Sequence, residues 1–189
     1  MTKLIDGILK KTGGRDRSIR WFREKVKELG EIQPQTLIRE GMVTTRPTFG
    51  TMNFFMYSPK NKDNVDILPY YDRFPLIMPI EQYNNGFLGL NFHYLSIPMR
   101  LKLLNIIAEY AINAKLDQKT RIRLTWNRIK RNPIVKPTVK RYLMDHVRTP
   151  FRRIDADEMM VAVLLPVQRF VRAQETRVYA DSRRIARRG

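Results

Sequence analysis

This chain of 189 residues has no cysteine and only two histidines, His93 and His146. Without thiols it can form no disulfide, no thiolate metal site and no cysteine nucleophile. Neither histidine has a second histidine at the spacing of a metal-binding helix, so a structural role is favoured for both.

Long apolar runs and acidic residues are also scarce. No run approaches the length of a membrane span, and Asp6 and Gly7 interrupt the first apolar residues, so neither a membrane partner nor a secretory signal is expected. Only 18 Asp and Glu stand against 36 Lys and Arg, which leaves a formal net charge of +18. A chain this basic is expected to bind an acidic partner, foremost a nucleic acid.

Motifs of catalysis are missing as well. Residues 11–14 lack the order of a phosphate-binding loop, and there is no Gly-x-Ser-x-Gly nucleophile elbow. Asp63, Asp66, Asp72 and Glu81 could hold Mg²⁺ as in a nuclease, but the first two lie among Lys and Asn residues typical of a polar turn. We therefore expect no enzymatic activity, no cofactor and no metal.

Cations concentrate in the second half of the chain. Between Lys119 and Arg153 there are twelve Lys or Arg residues and one acid, and the last stretch, 169–189, adds seven arginines against two acids. Apolar residues among them allow the cations to be held on a folded face, where they neutralise phosphates of double-stranded DNA. No base-reading motif is present, so no sequence preference is expected. The candidate DNA-binding residues are Arg121, Arg123, Arg128, Lys130, Arg131, Lys136, Lys140, Arg141, Arg152, Arg153, Arg183, Arg184, Arg187 and Arg188.

The sequence pattern divides the chain into three regions. Residues 1–45 are predicted to form a basic helical N-terminal arm, with helices over 16–29 and 34–40. Residues 46–168 are predicted to form an α+β core domain, and residues 169–189 a basic C-terminal helix or a tail. The last nine residues have few apolar side chains, so we expect them to be mobile in the isolated protein.

The core domain begins with a strand predicted at about 51–57, followed by a β-hairpin. Its strands are Leu76–Gln82 and Phe87–Tyr94, joined by an Asn-Asn-Gly turn whose residues tolerate a positive φ. Pro79 cannot donate to a ladder, so the first strand is predicted to be an edge or a bulged one. The fold class predicted is α+β: a small antiparallel sheet of three or four strands, open or barrel-like, with covering helices.

Four helices are predicted around the basic region. Ser96 and Pro98 open the first, whose apolar stripe includes Leu101, Leu104 and Ile107. Residues 121–129 fit both a strand and a helix by period, and a helix is favoured. The segment 137–149 is predicted to form a helix after a proline, and residues 155–164 carry a capping box ahead of an apolar run.

Two groups of aromatic residues could stack on bases. Residues 69–75 place Tyr70, Tyr71 and Phe74 between two prolines, and Trp126 lies near Arg128. Core packing is the more common use of such residues and is favoured for both groups.

The segment DILPYYDRFPL at 66–76, continued by NGFLGLNFHYL at 85–95, resembles a block in virion proteins of T-even-like, contractile-tailed bacteriophages. The segment KRYL at 140–143 is similar to a second, shorter block. The resemblance points to the DNA end protector or head-completion group. It implies a protein that sits on the terminus of the packaged genome and guards it from host exonuclease. It also implies that residues 70–94 are the signature of the fold, and it identifies no catalytic residue.

Together these features predict a non-enzymatic virion protein, synthesised in the host cytoplasm. It would bind DNA phosphates at the head or neck of the particle and contact other virion proteins of the head, neck or tail. The alternative is a tail or baseplate subunit whose basic arms dock on acidic neighbouring subunits. A DNA-processing enzyme such as a nuclease is a further alternative.

Overall fold

A computed structural model describes residues 42–61, 63, 65, 67–110, 118–154 and 159–188. The strands are β1 (Met42–Thr44), β2 (Met52–Phe54), β3 (Tyr71–Asp72), β4 (Leu76–Tyr83), β5 (Gly86–Asn91), β6 (Val139–Leu143), β7 (Phe151–Ile154) and β8 (Phe170–Val171). The α-helices are α1 (Ile97–Tyr110), α2 (Gln118–Ile129), α3 (Met159–Leu164) and α4 (Glu175–Arg187). Short 3₁₀-helices span Phe92–Tyr94, Lys136–Thr138 and Met144–His146. The helices predicted over 16–29 and 34–40 and the capping box at 155 and 158 lie outside the described residues.

Six strands form one antiparallel sheet in the order β1-β7-β2-β4-β5-β6, and β3 pairs with β8 in a small second sheet. The α+β class is confirmed. The sheet has six strands where three or four were predicted, and in the part of the chain that the structure describes it is open, not a closed barrel.

The predicted hairpin forms from β4 and β5, with Tyr83 paired to Gly86. Its turn differs from the prediction, because none of its three residues has a positive φ. Glycine is needed at 86 for another reason: a Cβ there would overlap the carbonyl oxygen of Tyr142 in the adjacent β6. Close approach of two strands, and not a left-handed turn, requires this glycine.

Both strands of the hairpin also depart from simple pairing. A register shift between Pro79 and Glu81 makes β4 a bulged strand, as predicted for one alternative. Because β4 lies between β2 and β5, the edge-strand alternative is wrong. The second strand ends at Asn91 and not at Tyr94, since the Asn91 side chain accepts a hydrogen bond from the amide of His93 and turns the chain into a 3₁₀-helix.

The helix predicted after Pro137 is wrong, because residues 139–143 form the edge strand β6. Its apolar spacing fits a helix, but pairing with β5 places Tyr142 opposite Phe87. The two rings stack with centroids 5.4 Å apart, and Tyr142 is buried. Tertiary pairing therefore overrides the helical period of this segment.

Both faces of the sheet are covered. Helices α1, α2 and α3, all predicted, pack their apolar sides on one face and contribute Leu103, Ile129 and Val163 to the main core. The opposite face carries an aromatic cluster that includes Phe55, whose ring centroid is 4.8 Å from that of Phe151. These two layers hold the central strands rigid and fix the positions of the side chains at the edges.

The C-terminal segment contains α4, so of its two alternatives residues 175–187 adopt the helix. Val178 and Ser182 are buried, and α4 packs against the 3₁₀-helices Phe92–Tyr94 and Lys136–Thr138. This packing argues against the mobility expected for the last residues. The division of the chain into arm, core and C-terminal region stays a prediction, although β1 at the end of the predicted arm pairs with β7.

Candidate nucleic-acid interface

Helix α2 and the turn after it carry a group of cations in an acid-free segment. Thr125 and Ile129 are buried, and Trp126 is half-buried against the main core, so the helical period turns the other residues outward. Among the described side chains, the exposed cations on α2 and directly after it are Arg123, Arg128, Lys130 and Arg131. Residues 118–144 contain no acid, so this segment offers phosphates a face without a carboxylate of its own. Arg121 also lies in α2, but its side chain is outside the described part of the structure.

A compact turn links α2 to the next cation, Lys136. The amide of Val135 donates to the carbonyl of Asn132 at 3.0 Å, and the Asn132 side chain accepts from the amide of Ile134 at 3.1 Å. Ile134 and Val135 are buried in the main core. The exposed Lys136 therefore stands at the start of the 3₁₀-helix against which α4 packs.

The two cations of the edge strand β6 point to opposite faces of the sheet, as neighbours in a strand must. Arg141 is exposed, donates to Oδ1 of Asn85 at 3.1 Å, and places its guanidinium carbon 5.2 Å from the centroid of Tyr83. Lys140 is half-buried, with Nζ 4.0 Å from the ring centroid of Tyr94. Burial lowers the pKa of Lys140 to about 8.

Helix α4 presents the C-terminal arginines to solvent. Arg183, Arg184, Arg187 and Arg188 are all exposed, and Arg184 forms an ion pair of 2.6 Å with Asp181 on the same helix. Another exposed arginine, Arg177, was not among the predicted residues. A helical wheel would have placed Arg177 with Arg184, because they are seven residues apart.

The arginines of β7 stand apart from the other candidates. Arg152 and Arg153 are half-buried on opposite faces of a strand that lies between β1 and β2. Three strands separate β7 from β6, which corresponds to about 19 Å at the usual strand spacing. The structure therefore brings Lys136, which follows α2 in the chain, close to α4. Arg152 and Arg153 lie on β7, away from these residues.

A buried polar network occupies the signature region. Asp72 accepts hydrogen bonds from Nδ1 of His93 at 2.7 Å and from the side-chain amide of Asn91 at 3.3 Å. Its other oxygen accepts from the backbone amides of Phe74 and Arg169. Both carboxylate oxygens are thus occupied by protein donors, which argues against the Mg²⁺ hypothesis for Asp72. Glu81 lies in the exposed half of β4, and Asp66 is outside the described residues.

Within this network His93 is a structural residue. It has no exposed surface, and desolvation lowers its pKa, while Asp72 opposes that shift. A carboxylate can only accept, so Nδ1 carries the proton in the neutral ring. Among the described residues no group of three or more His, Cys, Asp or Glu could hold a metal ion.

The aromatic residues considered for base stacking are mostly in the interior. Tyr71 and Phe74 are buried, and Tyr70 is half-buried with its hydroxyl 3.2 Å from Oδ2 of Asp181. Tyr83, in contrast, keeps 37% of its surface exposed at the tip of the hairpin. Tyr71 and Phe74 therefore pack in the core.

Arg100 is a structural residue that the predictions from the sequence did not include. It is fully buried in α1 and donates to the carbonyls of Leu95, Val163 and Leu165 and to the hydroxyl of Tyr179 in α4. The predicted stripe residues Leu101 and Leu104 are only partly buried. The helical spacing contained a signal for its burial, because position 100 lies three and seven residues before the buried Leu103 and Ile107. A cation at such a position usually receives hydrogen-bond partners in the core.

No helix in the described ranges is long and apolar enough to cross a membrane. Neither a curated protein nor a solved structure matches the chain. A family model described as phage T4 terminal DNA protecting protein matches residues 6–186, which is nearly the whole chain and includes the signature region and α4. The chain therefore belongs to the phage T4 terminal DNA protecting protein family.

Proposed function

We propose that this protein binds the phosphates of double-stranded DNA without sequence preference, at or near the end of the packaged genome, and shields that end without catalysing a reaction. The family description names terminal DNA and its protection. The observation that carries the proposal is the exposed cationic face of α2 and its following turn, in a segment without a single acid.

The cations of this face have a rigid support. Ile129 and Val135 anchor both ends of the turn after α2 in the main core, so Lys130 and Arg131 are held in place before DNA arrives. Less side-chain and backbone entropy is lost when such residues bind than when a disordered arm binds. Phosphate contacts of this kind carry no sequence information.

Helix α4 adds further exposed arginines. Its arginines face solvent, while Val178 and the Tyr179–Arg100 hydrogen bond of 3.2 Å fasten the helix to the core. Lys136 stands where α4 meets the chain that leaves α2. We propose that α2, Lys136 and α4 form the surface that meets the DNA, while Arg152 and Arg153 are not part of it.

The setting we propose is the virion, at the head or neck, after synthesis in the host cytoplasm. Other virion proteins would complete the site. We propose that no catalytic step occurs, since Asp72 and His93 are enclosed in the interior and engaged with each other.

The first test measures binding of the full chain to duplexes of unrelated sequence. If roughly six to ten phosphates are engaged, affinity should be equal for all sequences and fall by about 10³ to 10⁵ between about 50 and 200 mM salt. Reversing two charges with Lys130→Glu and Arg131→Glu should weaken binding and reduce the salt dependence. Arg46→Glu, an exposed cation in the loop after β1, is the matched control for a change of charge elsewhere.

The second test measures protection. Linear duplex should survive digestion by an exonuclease longer with the protein than without it, and the Lys130→Glu, Arg131→Glu variant should lose this effect. If the chain bound no DNA at any salt concentration, the alternative of basic faces docking on acidic virion subunits would replace our proposal. Cleavage of DNA by the purified chain would contradict the non-enzymatic role.

A further inference from the structure

We propose that Lys140 is a preformed binding point for one DNA phosphate, in a half-buried site floored by the ring of Tyr94. This inference rests on the proposed function, because it specifies which group of the DNA meets the edge strand β6. The phosphate can belong to an internal nucleotide or to the 5′ terminus, and both offer the same chemistry to an ammonium group.

The position of Lys140 is fixed by its neighbours in the sheet. Lys140 pairs with Gly89 of β5 in the antiparallel ladder. Its Nζ atom is 4.0 Å from the ring centroid of Tyr94, which is itself buried. The ammonium group is therefore held by a rigid aromatic surface and is not a freely moving surface charge.

The charge of Lys140 is uncompensated within the described part of the chain. Burial alone lowers the pKa of Lys140, and no charged or hydrogen-bonding group of the described residues opposes that shift. A ring face can satisfy one of three ammonium donors, which leaves the others for water or a ligand. Most half-buried charges are paired, so the unpaired ammonium group of Lys140 points to an anion as its missing partner.

The neighbouring groups do not supply that anion. Burial raises the pKa of Tyr94, Tyr142 and Tyr70, so all three are neutral near pH 8, and desolvation lowers the pKa of His93, which is neutral there as well. Asp72 is enclosed in the interior and paired with His93. On α4, the groups Asp181, Arg177 and Arg184 face Tyr70.

The site has a pH dependence that distinguishes it from the exposed cations. Burial lowers the pKa of Lys140 to about 8, so the group is mostly charged at pH 7 and mostly neutral at pH 9. Only the charged form attracts a phosphate. DNA affinity at constant salt should therefore fall by up to about tenfold from pH 7 to pH 9, since about one molecule in ten keeps the proton at the higher pH.

The experiment measures fluorescence anisotropy of a labelled duplex with the full chain at pH 7, 8 and 9. Lys140→Arg should bind with little change across this range, because a guanidinium stays charged. Lys140→Met should bind about tenfold more weakly at pH 7 and show no further loss at pH 9. The matched control Lys130→Met should bind more weakly at every pH but keep the wild-type decline. Circular dichroism checks that each variant is folded.

Three duplexes of one sequence identify the source of the phosphate: a linear one with 5′-phosphates, a linear one with 5′-hydroxyls and a closed circle. An effect of Lys140→Met on all three assigns an internal phosphate, and an effect on the first alone assigns the terminal one. A wild-type decline that persists in Lys140→Met would overturn the inference and leave the proposed function standing. Absence of DNA binding at every pH would overturn both.

Discussion

Nδ1 of His93 donates a hydrogen bond to Oδ2 of Asp72 over 2.7 Å, and both side chains are enclosed in the protein. Asp72 belongs to β3 in the small sheet, and His93 to the 3₁₀-helix that follows β5 in the large one. The bond therefore ties the two sheets together. Since the Asn91 side chain also donates to Asp72, the segment 70–94 stabilises the junction of the two sheets through these buried hydrogen bonds.

The first prediction concerns the pH dependence of stability. Desolvation lowers the pKa of His93 in the folded state below its usual value of 6.5, so below that pH the unfolded chain binds the extra proton more readily. The stability that the neutral ring contributes is complete above about pH 6.5 and is lost as the pH falls. We expect a slope of up to about 1.4 kcal/mol per pH unit between pH 6.5 and 5.

Urea unfolding at several pH values tests this slope. His93→Asn can still donate to Asp72 but does not titrate, so its free energy of unfolding should change less over the same range. His146→Gln is the matched control for replacing a histidine elsewhere in the chain. Equal slopes for the wild type and His93→Asn would show that His93 is not the titrating group.

The second prediction concerns Gly86. Gly86→Ala should lower the free energy of unfolding by about 1 to 3 kcal/mol, because the added Cβ collides with backbone of β6 that cannot move without breaking the ladder. Gly89→Ala is the matched control, since its Cβ would meet Ile77 at 3.4 Å, close to an ordinary contact. Chemical denaturation should find the Gly86 variant clearly less stable; equal losses would rule out the steric explanation.

The third prediction concerns Arg100. Arg100→Met should cost about 2 to 4 kcal/mol, because three buried carbonyls and the Tyr179 hydroxyl lose their donor. Tyr179→Phe should cost about 1 kcal/mol. Arg177→Ala, on the exposed side of the same helix, should stay within about 0.5 kcal/mol of the wild type. Thermal and urea unfolding of the three variants measure these losses. An Arg100→Met variant as stable as the wild type would contradict the structure.

The fourth prediction concerns α4. Amide exchange should be slow at Val178, Ser182 and their neighbours in the isolated protein, since these side chains are buried against the 3₁₀-helices. Truncation after residue 174 should lower stability, because it removes the partner of Arg100 together with Val178. Rapid exchange throughout residues 175–187 would instead support the mobile tail that the sequence suggested.

The sequence by itself determined the elements whose signals are local. The Asn-Asn-Gly turn between two apolar segments predicts the hairpin of β4 and β5, and Pro98 followed by an apolar stripe predicts α1. The charge of α2 was equally plain, because Lys and Arg residues crowd a segment without acids. Local backbone preferences and composition are sufficient for such features, since each depends on residues close together in the chain.

Only the tertiary structure decided what depends on distant partners. Residues 139–143 form a strand because β5 offers a ladder and a place for Tyr142, although their spacing suits a helix. Gly86 is constrained by a carbonyl 56 positions later in the chain, at Tyr142. Arg100 and Lys140 look like other basic residues in the sequence, but one is enclosed among carbonyls and the other lies over Tyr94. Burial and the identity of contacting groups arise from the packing of separate elements, and no local pattern contains them.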